Sequence, residues 1–515
     1  MNHQPQLARQ FRSVLFPSGD EGQTDKEPDF FHDVNLDQIV DAVVADDDAS
    51  CRHYFYAPLH DAGAIRYRHE IMRDLECDAL LDSVNRFLAQ MARMRRCLAL
   101  ADSLRTTLQC QRWFLDAVSI YCDAVPSLVE ALSATHVASR GLRAFREYLE
   151  EYARSSRFSE LADDARQLTV ALRDVSYVVS VRHDIVSVRR REGEPDYGTE
   201  LTATFERFTG REARDSRISF PDHPEMNDVE ERILKRVARL YAESFASVAD
   251  FAQRHRGYVD GAVERFAREI RFYVRYLGYI GKLRAAGLEF CYPDVAEDDK
   301  RTYQEGGFDM ALAARLVGGD GSIVQNDFAL APPERVIVVT GPNQGGKTTF
   351  ARMFAQMQWL GVLGCPVPGA KARVLLFDRL FTHFEREEDV TAVRGKLEDD
   401  LIRLRDIFTV ATSHSILVMN EIFTSTTLED ATLLGKAVMR EVVDRNPVCV
   451  WVTFVKELAS YGPEVVSMVA TVCADDPTIR TFKVVRQPAS GRAYALSIAA
   501  KYGLTHESIE ERVRE

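Results

Sequence analysis

The first pattern along the chain is a recurrence of apolar residues with helical spacing. From Leu36 to about Ile323, apolar residues recur three and four positions apart, as in "HEIMRDLECDALLDSVNRFLAQMARMRRCLAL". This period places them on one face of an α-helix, so the pattern predicts a mainly α-helical region. Two stretches, at about 125–180 and 228–287, are long enough to predict extended helices. Residues 1–35 are polar and rich in turn formers, which predicts an irregular N-terminal arm.

Two changes of pattern interrupt and end the helical region. At about 182–227, Gly, Pro and alternating β-branched residues predict a short strand-rich insertion. The segment 291–307 is acidic and turn-rich, and a domain boundary is predicted after it, at about 323. From 324 onward, short apolar runs alternate with helical patterns, which is typical of a parallel α/β sheet. Its predicted strands are 336–340, 416–419, 448–453, 468–474 and 481–486.

Composition limits the possible partners. The 515 residues are 46% hydrophobic and 28% charged, which is typical of a soluble globular protein of more than one domain. The net charge of −13 gives no overall attraction for nucleic acid, so DNA binding would require a local basic patch. The nine cysteines include no C-x-x-C pair, which predicts reduced thiols in a cytoplasmic protein. The N-terminal residues include no apolar stretch, so neither a signal sequence nor a membrane span is expected there.

A phosphate-binding motif begins the α/β region. "RVIVVTGPNQGGKTTF" is a buried strand, the pattern G-x-x-x-x-G-K-[ST] and the start of an amphipathic helix. Such a loop presents backbone N–H groups to phosphate oxygens at a helix N-terminus. Lys347 is expected to reach the β and γ phosphates and Thr348 to bind Mg²⁺. The motif thus predicts an α/β P-loop NTPase domain that binds ATP with Gly341, Pro342, Asn343, Gln344, Gly345, Gly346, Lys347, Thr348 and Thr349.

The segment "SHSILVMNEIFTST" predicts the second half of this site. Its apolar run is a buried strand that ends at Asn420 and Glu421. In parallel sheets the carboxyl end of such a strand lies beside the phosphate loop, so Glu421 is expected to orient or deprotonate the attacking water. Asn420 stands where a carboxylate usually supports Mg²⁺, and its amide is expected to act through a metal-bound water. We therefore predict weakened Mg²⁺ binding. The alternative is that the pair only caps a helix.

The motifs together resemble those of the MutS mismatch-repair ATPases. "TGPNQGGKTTF" is similar to the family's T-G-P-N-x-G-G-K-[ST]-T loop, and Asn343 is its more specific feature. "VQNDFAL" resembles the family's P-N-D segment, and "GCPVPGAKARVLLFDRLFTHFEREED" resembles its V-P-A … D-R-I-F-T-R block. "ATSHSILVMNEIFTSTTLEDA" resembles the block that contains D-E-I-G-R-G-T-S-T. "VTFVKELA" resembles A-T-H-Y-x-E-L, and "GRAYALSIAAKYGL" resembles the family's C-terminal motif. "FYAPLHDAGAIRYRHEIMRDLE" looks like the start of the family's helical core.

The resemblance implies an architecture and a dimer. It predicts an ABC/MutS-type ATPase domain at 324–515, preceded at 36–323 by a mainly α-helical core with long lever helices. The insertion at 182–227 would be a shortened clamp. Each ATP in this family's sandwich dimer needs groups from two subunits, which implies a homodimer. No segment resembles the mismatch-recognition domain, and the terminal helix-turn-helix is expected to be largely missing, so mismatch reading is not expected.

Departures from the family pattern at Asn420, Gly395 and Phe454 affect the expected ATPase. By family position Gly395 replaces the serine that would touch the partner's γ-phosphate, and the neighbouring Lys396 could meet that phosphate instead. Lys396 could equally be a solvated helix residue. Phe454 replaces a histidine after the fourth strand. Because the phosphate loop, Thr348 and Glu421 remain, the prediction is slow hydrolysis.

Three functions stay open from the sequence. The first is a MutS-like ATPase dimer that binds branched or otherwise unusual DNA. Candidate DNA contacts are Arg182, His183, Arg189, Arg190 and Arg191, with a second basic cluster at Arg93, Arg95 and Arg96, although ordinary surface arginines would give the same pattern. The second is an ATP-gated switch that presents the helical arm to a protein partner without DNA. The third is a nucleotide sensor that does not hydrolyse ATP.

Overall fold

The chain forms two compact units in the computed structural model. The structure describes residues 11–18, 26–44, 49–183, 185–193, 225–297, 299–319, 321–385, 395–473, 475–476, 478–489, 504 and 506. Unit 1 consists of Met1–Phe11, Cys77–Val137 and Arg143–Ala267, and unit 2 of Arg12–Glu76, Ala138–Leu142 and Arg268–Glu515. The first helices of the predicted core therefore belong to the same unit as the α/β sheet. The domain boundaries at 35/36 and 323/324 stay predictions.

The described residues contain thirteen α-helices and fourteen strands. The helices are α1 Leu36–Val44, α2 Ala62–Leu75, α3 Asp78–Ser103, α4 Thr107–Ala134, α5 Arg140–Ala153, α6 Ser156–Arg173, α7 Asp228–Leu240, α8 Ala242–Arg254, α9 Gly261–Ala285, α10 Met310–Leu316, α11 Lys347–Val362, α12 Lys396–Val410 and α13 Leu428–Arg445. The strands are β1 Tyr177–Arg182, β2 Ile185–Arg190, β3 Phe290–Cys291, β4 Asp294–Ala296, β5 Thr302–Gly307, β6 Asn326–Leu330, β7 Val336–Thr340, β8 Val367–Pro368, β9 Lys371–Leu375, β10 Leu380–Phe384, β11 Ile416–Asn420, β12 Val448–Val452, β13 Val465–Val472 and β14 Arg480–Arg486.

The two predicted extended helices are wrong, because helix-capping residues break both stretches. The stretch 125–180 contains the end of α4, then α5 and α6, and α6 begins where the Ser155 hydroxyl accepts a hydrogen bond from the Phe158 N–H. The stretch 228–287 contains α7, α8 and α9, and the Asp260 carboxylate caps α9. Within the described residues, the longest helices are instead α3 and α4, with 26 and 28 residues.

The predicted insertion begins with a β-hairpin in unit 1. Strands β1 and β2 pair antiparallel, with Val181 opposite Val186. The hairpin begins at Tyr177, before the predicted start at residue 182. Residues 194–224, which make up most of the predicted clamp-like insertion, lie outside the described residues, and so does the "GRAYALSIAAKYG" segment near the C-terminus.

Unit 2 contains the predicted parallel sheet. Its six strands lie in the order β10-β11-β12-β7-β13-β14, and only β14, at one edge, is antiparallel to its neighbour. Every residue of β7, β11 and β12 is buried, because helices cover both faces of such a sheet. The α/β prediction is therefore confirmed, and the order brings the carboxyl ends of β7 and β11 to the same edge.

A second sheet of unit 2 lies where a turn-rich boundary was predicted. Its strands run in the order β4-β9-β5-β6, and two of them occupy the segment 291–307. The sequence pattern concealed β5 because its buried positions are polar. The Thr302 hydroxyl donates to the Arg373 carbonyl at 2.6 Å, and the Gln304 amide donates to the Pro368 carbonyl at 2.8 Å. These bonds satisfy the Thr302 hydroxyl and the Gln304 amide donor, whereas the buried Gln304 Oε1 accepts no hydrogen bond from the described residues.

Two expectations about the chain's environment can be compared with the structure. All nine cysteines lie within the described residues and none forms a disulfide. Among the described helices, α4 is long and apolar enough to cross a membrane by length and composition alone. Its apolar side chains, including Leu115, Val118 and Val125, are buried within the protein, which is also typical of a core helix.

Candidate functional site

The phosphate loop connects buried strand β7 to helix α11. Gly341 has φ +126°, and a Cβ atom there would lie 2.7 Å from the Ala470 carbonyl oxygen, so only glycine fits. Gly346, with φ +89°, immediately precedes the helix, and Gln344 also has a positive φ of +58°. This left-handed turn before a helix N-terminus is typical of backbone anion sites. Gly345 and Thr349 complete the predicted set, in the loop and in the first helical turn respectively.

Lys347 lies at the centre of the predicted site and is only 5% exposed. Its ammonium donates to the carbonyl oxygens of Gly341 at 3.2 Å and Pro342 at 3.3 Å, and to the Asn343 side-chain oxygen at 3.1 Å. The Glu421 carboxylate lies 3.4 Å away. A buried ammonium needs such oxygen partners, and a triphosphate would offer stronger ones. The two predicted catalytic residues are therefore in direct contact.

Thr348 and Asn420 form the candidate metal position. The Thr348 hydroxyl donates to the Asn420 side-chain oxygen at 3.0 Å, and Asn420 ends β11, one residue later than predicted. Both side chains supply oxygen atoms, which are the ligands that Mg²⁺ prefers. Within the part of the chain that the structure describes, no three His, Cys, Asp or Glu side chains are grouped to hold a metal. The pair therefore fits an ion held mainly by phosphate and water oxygens.

The backbone after β11 adopts a conformation that non-glycine residues seldom adopt. Glu421 has φ +52° and Phe423 φ +63°. The Glu421 N–H donates to the Val452 carbonyl at 2.9 Å, which fixes the turn against β12. The resembling family motif has glycine where this chain has Phe423, and the strain of one such residue is about 1–3 kcal/mol. The Phe423 N–H donates to Asp400 at 3.4 Å, and burial raises the pKa of that carboxyl above its usual range.

The predicted partner-facing residues lie at the N-terminus of α12. Gly395 precedes the helix, and a Cβ atom there would meet nothing within 4 Å, so a serine would fit without a clash. The Lys396 ammonium pairs with the Glu385 carboxylate of the same chain. Glu385 also accepts a hydrogen bond from the Thr424 hydroxyl at 3.3 Å. A role toward a partner subunit stays a prediction, and it would require Lys396 to exchange its present partner.

Two side chains near the loop were not predicted. The Arg480 guanidinium donates to the Asn343 carbonyl at 3.2 Å. Phe482 has φ +57°, is 49% exposed, and has atoms 3.5 to 3.7 Å from where a Cβ of Gly346 would be. The Asn326 side chain holds this strand by donating to the Phe482 carbonyl at 3.2 Å. Asn326, in the segment "VQNDFAL", is the residue in the sequence that could have indicated this contact with the strand of Phe482. Phe454, the third departure from the family, is 46% exposed.

The candidate DNA contacts have different surroundings. The Arg190 guanidinium donates to the Leu240 carbonyl and lies over the Tyr241 ring at 4.7 Å, so it has a structural role. Arg182 and Arg189 are exposed on one face of the β1–β2 hairpin, whereas the opposite face exposes the apolar residues Tyr177, Val179, Val181 and Val186. Arg191 follows β2, and Arg93, Arg95 and Arg96 lie on α3.

Comparison with known proteins agrees with the motifs. Residues 337–514 match the family model described as MutS domain V. The chain is 24% identical over 506 residues to the DNA mismatch repair protein MutS of Chlorobium phaeovibrioides, which covers 90% of this chain and 56% of that protein. It is 28% identical over 193 residues to proteins of the same name from two strains of Dehalococcoides mccartyi, covering 36% of this chain and 22% of those proteins.

These matches define both the relationship and its extent. The chain spans about half the length of the first of these relatives, at 56%, and about a fifth of the other two, at 22%. The shared domain contains the phosphate loop, Asn420 and Glu421, and the low identity agrees with the departures at Gly395, Asn420 and Phe454. Residues 337–514 are therefore similar to MutS domain V, and the chain as a whole is similar to the DNA mismatch repair protein MutS over 90% of its length.

Proposed function

We propose that this protein is a slow, Mg²⁺-dependent ATPase whose nucleotide-driven homodimer acts on DNA of branched or unusual structure in the cytoplasm. The observation that carries the ATPase is the contact between Lys347 and Glu421 beside the phosphate loop. A cation for the phosphates and a carboxylate for the water thus lie together at one sheet edge. The name of these relatives, DNA mismatch repair protein MutS, supports a role on DNA.

The residues suggest how the reaction would proceed. On ATP binding, Lys347 would give up the carbonyl oxygens of Gly341 and Pro342 for the β and γ phosphates. Glu421 would then be released from its ion pair and could accept a proton from the attacking water. Mg²⁺, when bound, would neutralise the negative charge that develops on the phosphate oxygens. Thr348 and Asn420 are the residues that would hold it.

The aromatic ring of Phe482 is a candidate contact for the nucleotide base. The Phe482 side chain is half exposed, and its backbone and Cβ atoms lie beside Gly346, which precedes the helix of the phosphate loop. An aromatic face in this position can stack on a purine with little loss of side-chain freedom. This contact would belong to nucleotide binding and not to hydrolysis.

Asn420→Asp should lower the Mg²⁺ concentration needed for half-maximal ATP turnover by on the order of tenfold. The aspartate oxygen would still accept the hydrogen bond from Thr348, and it would add the negative charge that the amide lacks. The measurement is a Mg²⁺ titration of phosphate release. Gln487→Glu, which adds the same charge on an exposed residue, should leave the titration unchanged. A weaker Mg²⁺ response in Asn420→Asp would contradict the proposed metal position.

The proposed DNA binding depends on the exposed arginines of the hairpin. If Arg182 and Arg189 each neutralise a phosphate, alanine at either position should reduce the slope of log affinity against log salt by about one. The measurement is binding to duplex, four-way junction and single strand over a salt series, with and without ATP. Arg105→Ala, which removes an exposed arginine elsewhere in unit 1, should not alter the slope. Wild-type protein that binds none of the three at any salt concentration would exclude the DNA role.

The apolar face of the same hairpin favours a second candidate function. Val181 is 67% exposed, with Tyr177 at 45% and Val179 at 40%, whereas DNA contacts consist mainly of charged and polar groups. Exposed apolar patches more often mark protein interfaces. An ATP-gated dimer that presents this arm to a protein partner without DNA is therefore the alternative, and the salt series distinguishes the two.

A further inference from the structure

The phosphate-loop helix α11 packs against an irregular segment near the N-terminus. Residues 26–35 contain no helix or strand, yet three successive turns of α11 contact them. The Arg352 guanidinium donates to the Asp33 carbonyl at 2.9 Å, and the buried Gln356 amide donates to the Val34 carbonyl at 2.9 Å. One turn later the Trp359 ring packs against two phenylalanines, with centroids 5.0 Å from Phe30 and 5.5 Å from Phe31.

Asp33 connects this helix to the central sheet. Its backbone carbonyl accepts from Arg352 of α11, and its carboxylate accepts from the Thr382 hydroxyl of β10 at 2.5 Å. One residue therefore holds both elements. Thr382 is only partly buried, and its bond to a carboxylate is charge-assisted, so it is stronger than a bond between neutral groups.

Helix α11 also carries Thr348 of the candidate metal position, and strand β10 pairs with β11, which ends at Asn420. Arg352 lies four residues after Thr348, so both side chains point from the same face of α11. The Arg352 guanidinium lies 5.9 Å from the ring centre of Phe384, which is the strand partner of Asn420. The hydrogen bond between Thr348 and Asn420 thus lies one helical turn from the contact that Asp33 makes.

We propose that Asp33 is a positioning residue of the nucleotide site. Its bond to Thr382 fixes the distance between α11 and the edge of the sheet, and so keeps Thr348 aligned with Asn420 for Mg²⁺. This inference rests on the proposed ATPase function. It assigns to the N-terminal segment a role in metal-dependent turnover that neither the phosphate motif nor the family match contains.

The test compares variants that break this bond with variants that keep it. Asp33→Ala removes the acceptor, and Thr382→Val removes the donor at nearly constant volume. Both should raise the Mg²⁺ concentration for half-maximal turnover by about three- to tenfold, because residues behind the metal shell act more weakly than its direct neighbours. Asp33→Asn keeps an acceptor oxygen and should restore most of the wild-type response. The double variant should be no worse than either single one, since both remove the same bond.

Controls separate positioning from general stability and from the ATPase itself. Asp29→Ala removes an exposed carboxylate of the same segment, which pairs with Lys26 at 3.2 Å, and should behave as wild type. Thr382→Val should lower the melting temperature without nucleotide only modestly, because Thr382 is only partly buried, and the variant should stay folded at the assay temperature. Thr382→Val and Asp33→Ala that titrate like Asp29→Ala would overturn the role of Asp33. If the wild-type protein released no phosphate, the ATPase proposal would fail alone, and the Mg²⁺ dependence of ATP-induced thermal stabilisation would still decide about Asp33.

Discussion

Glu421→Gln should slow phosphate release by about a thousandfold while leaving ATP binding intact or tighter. Glutamine is nearly isosteric but cannot accept the proton of the attacking water. It also removes an anion that lies 3.4 Å from the Lys347 ammonium, so the cation becomes more available to phosphate. The measurement is single-turnover formation of phosphate from radiolabelled ATP in acid-quenched samples, which detects slow hydrolysis without a contribution from product release.

The matched control is Glu457→Gln, an exposed residue of the short 3₁₀ helix Lys456–Ser460 in the same unit, which should leave the rate unchanged. An unaltered rate in Glu421→Gln would contradict the assignment of the water-activating residue. Loss of ATP binding in that variant would instead show that the carboxylate supports the loop. A wild-type protein that binds ATP and releases no phosphate would favour the nucleotide sensor.

Lys347→Ala should reduce ATP turnover by at least about a hundredfold and remove the ATP-induced rise in melting temperature. The Lys347 ammonium contacts the loop carbonyls of Gly341 and Pro342 and also the Glu421 carboxylate. Loss of the Lys347 ammonium would leave the phosphates without a buried cation. Lys347→Met, which keeps the packing of the aliphatic stem, separates loss of charge from loss of volume and should show the same defect.

Lys436→Ala is the control for this change, because Lys436 is an exposed lysine of α13. It should leave both turnover and thermal stabilisation at the wild-type level. Stabilisation by ATP that persists in both Lys347 variants would mean that nucleotide binds elsewhere on the protein.

The geometry of the phosphate loop could be predicted from the sequence because its signal is local, whereas the roles of its residues stay predictions. The loop glycines, Lys347 and Thr348 are contiguous, and the strand context determines where they face. The contact between Asn420 and Thr348 was also predictable, because parallel strands place their carboxyl ends at one edge. The left-handed turn at Phe423 was not, since phenylalanine gives no sign of a positive φ. Tertiary contacts impose that conformation, including the hydrogen bond from its N–H to Asp400.

The fold was predicted less completely where burial and polarity disagree. Strand β5 was missed because Thr302 and Gln304 are polar yet fully buried, so its alternation looked like a turn-rich segment. The extended helices were predicted too long because apolar periodicity continues across a cap such as Ser155. The hydrogen bonds that Asp33 accepts from Arg352 and Thr382 were also missed, because they join residues more than 300 positions apart. Such long-range hydrogen bonds leave no periodic signal in the sequence.

The most direct measurement is equilibrium binding of ATP with Mg²⁺ to the purified wild-type protein and to Lys347→Ala. The wild-type protein should retain the triphosphate, and the variant should lose it. Failure of the wild-type protein to bind, or equal binding by the two proteins, would contradict the claim that the loop from Gly341 to Thr348 holds the triphosphate.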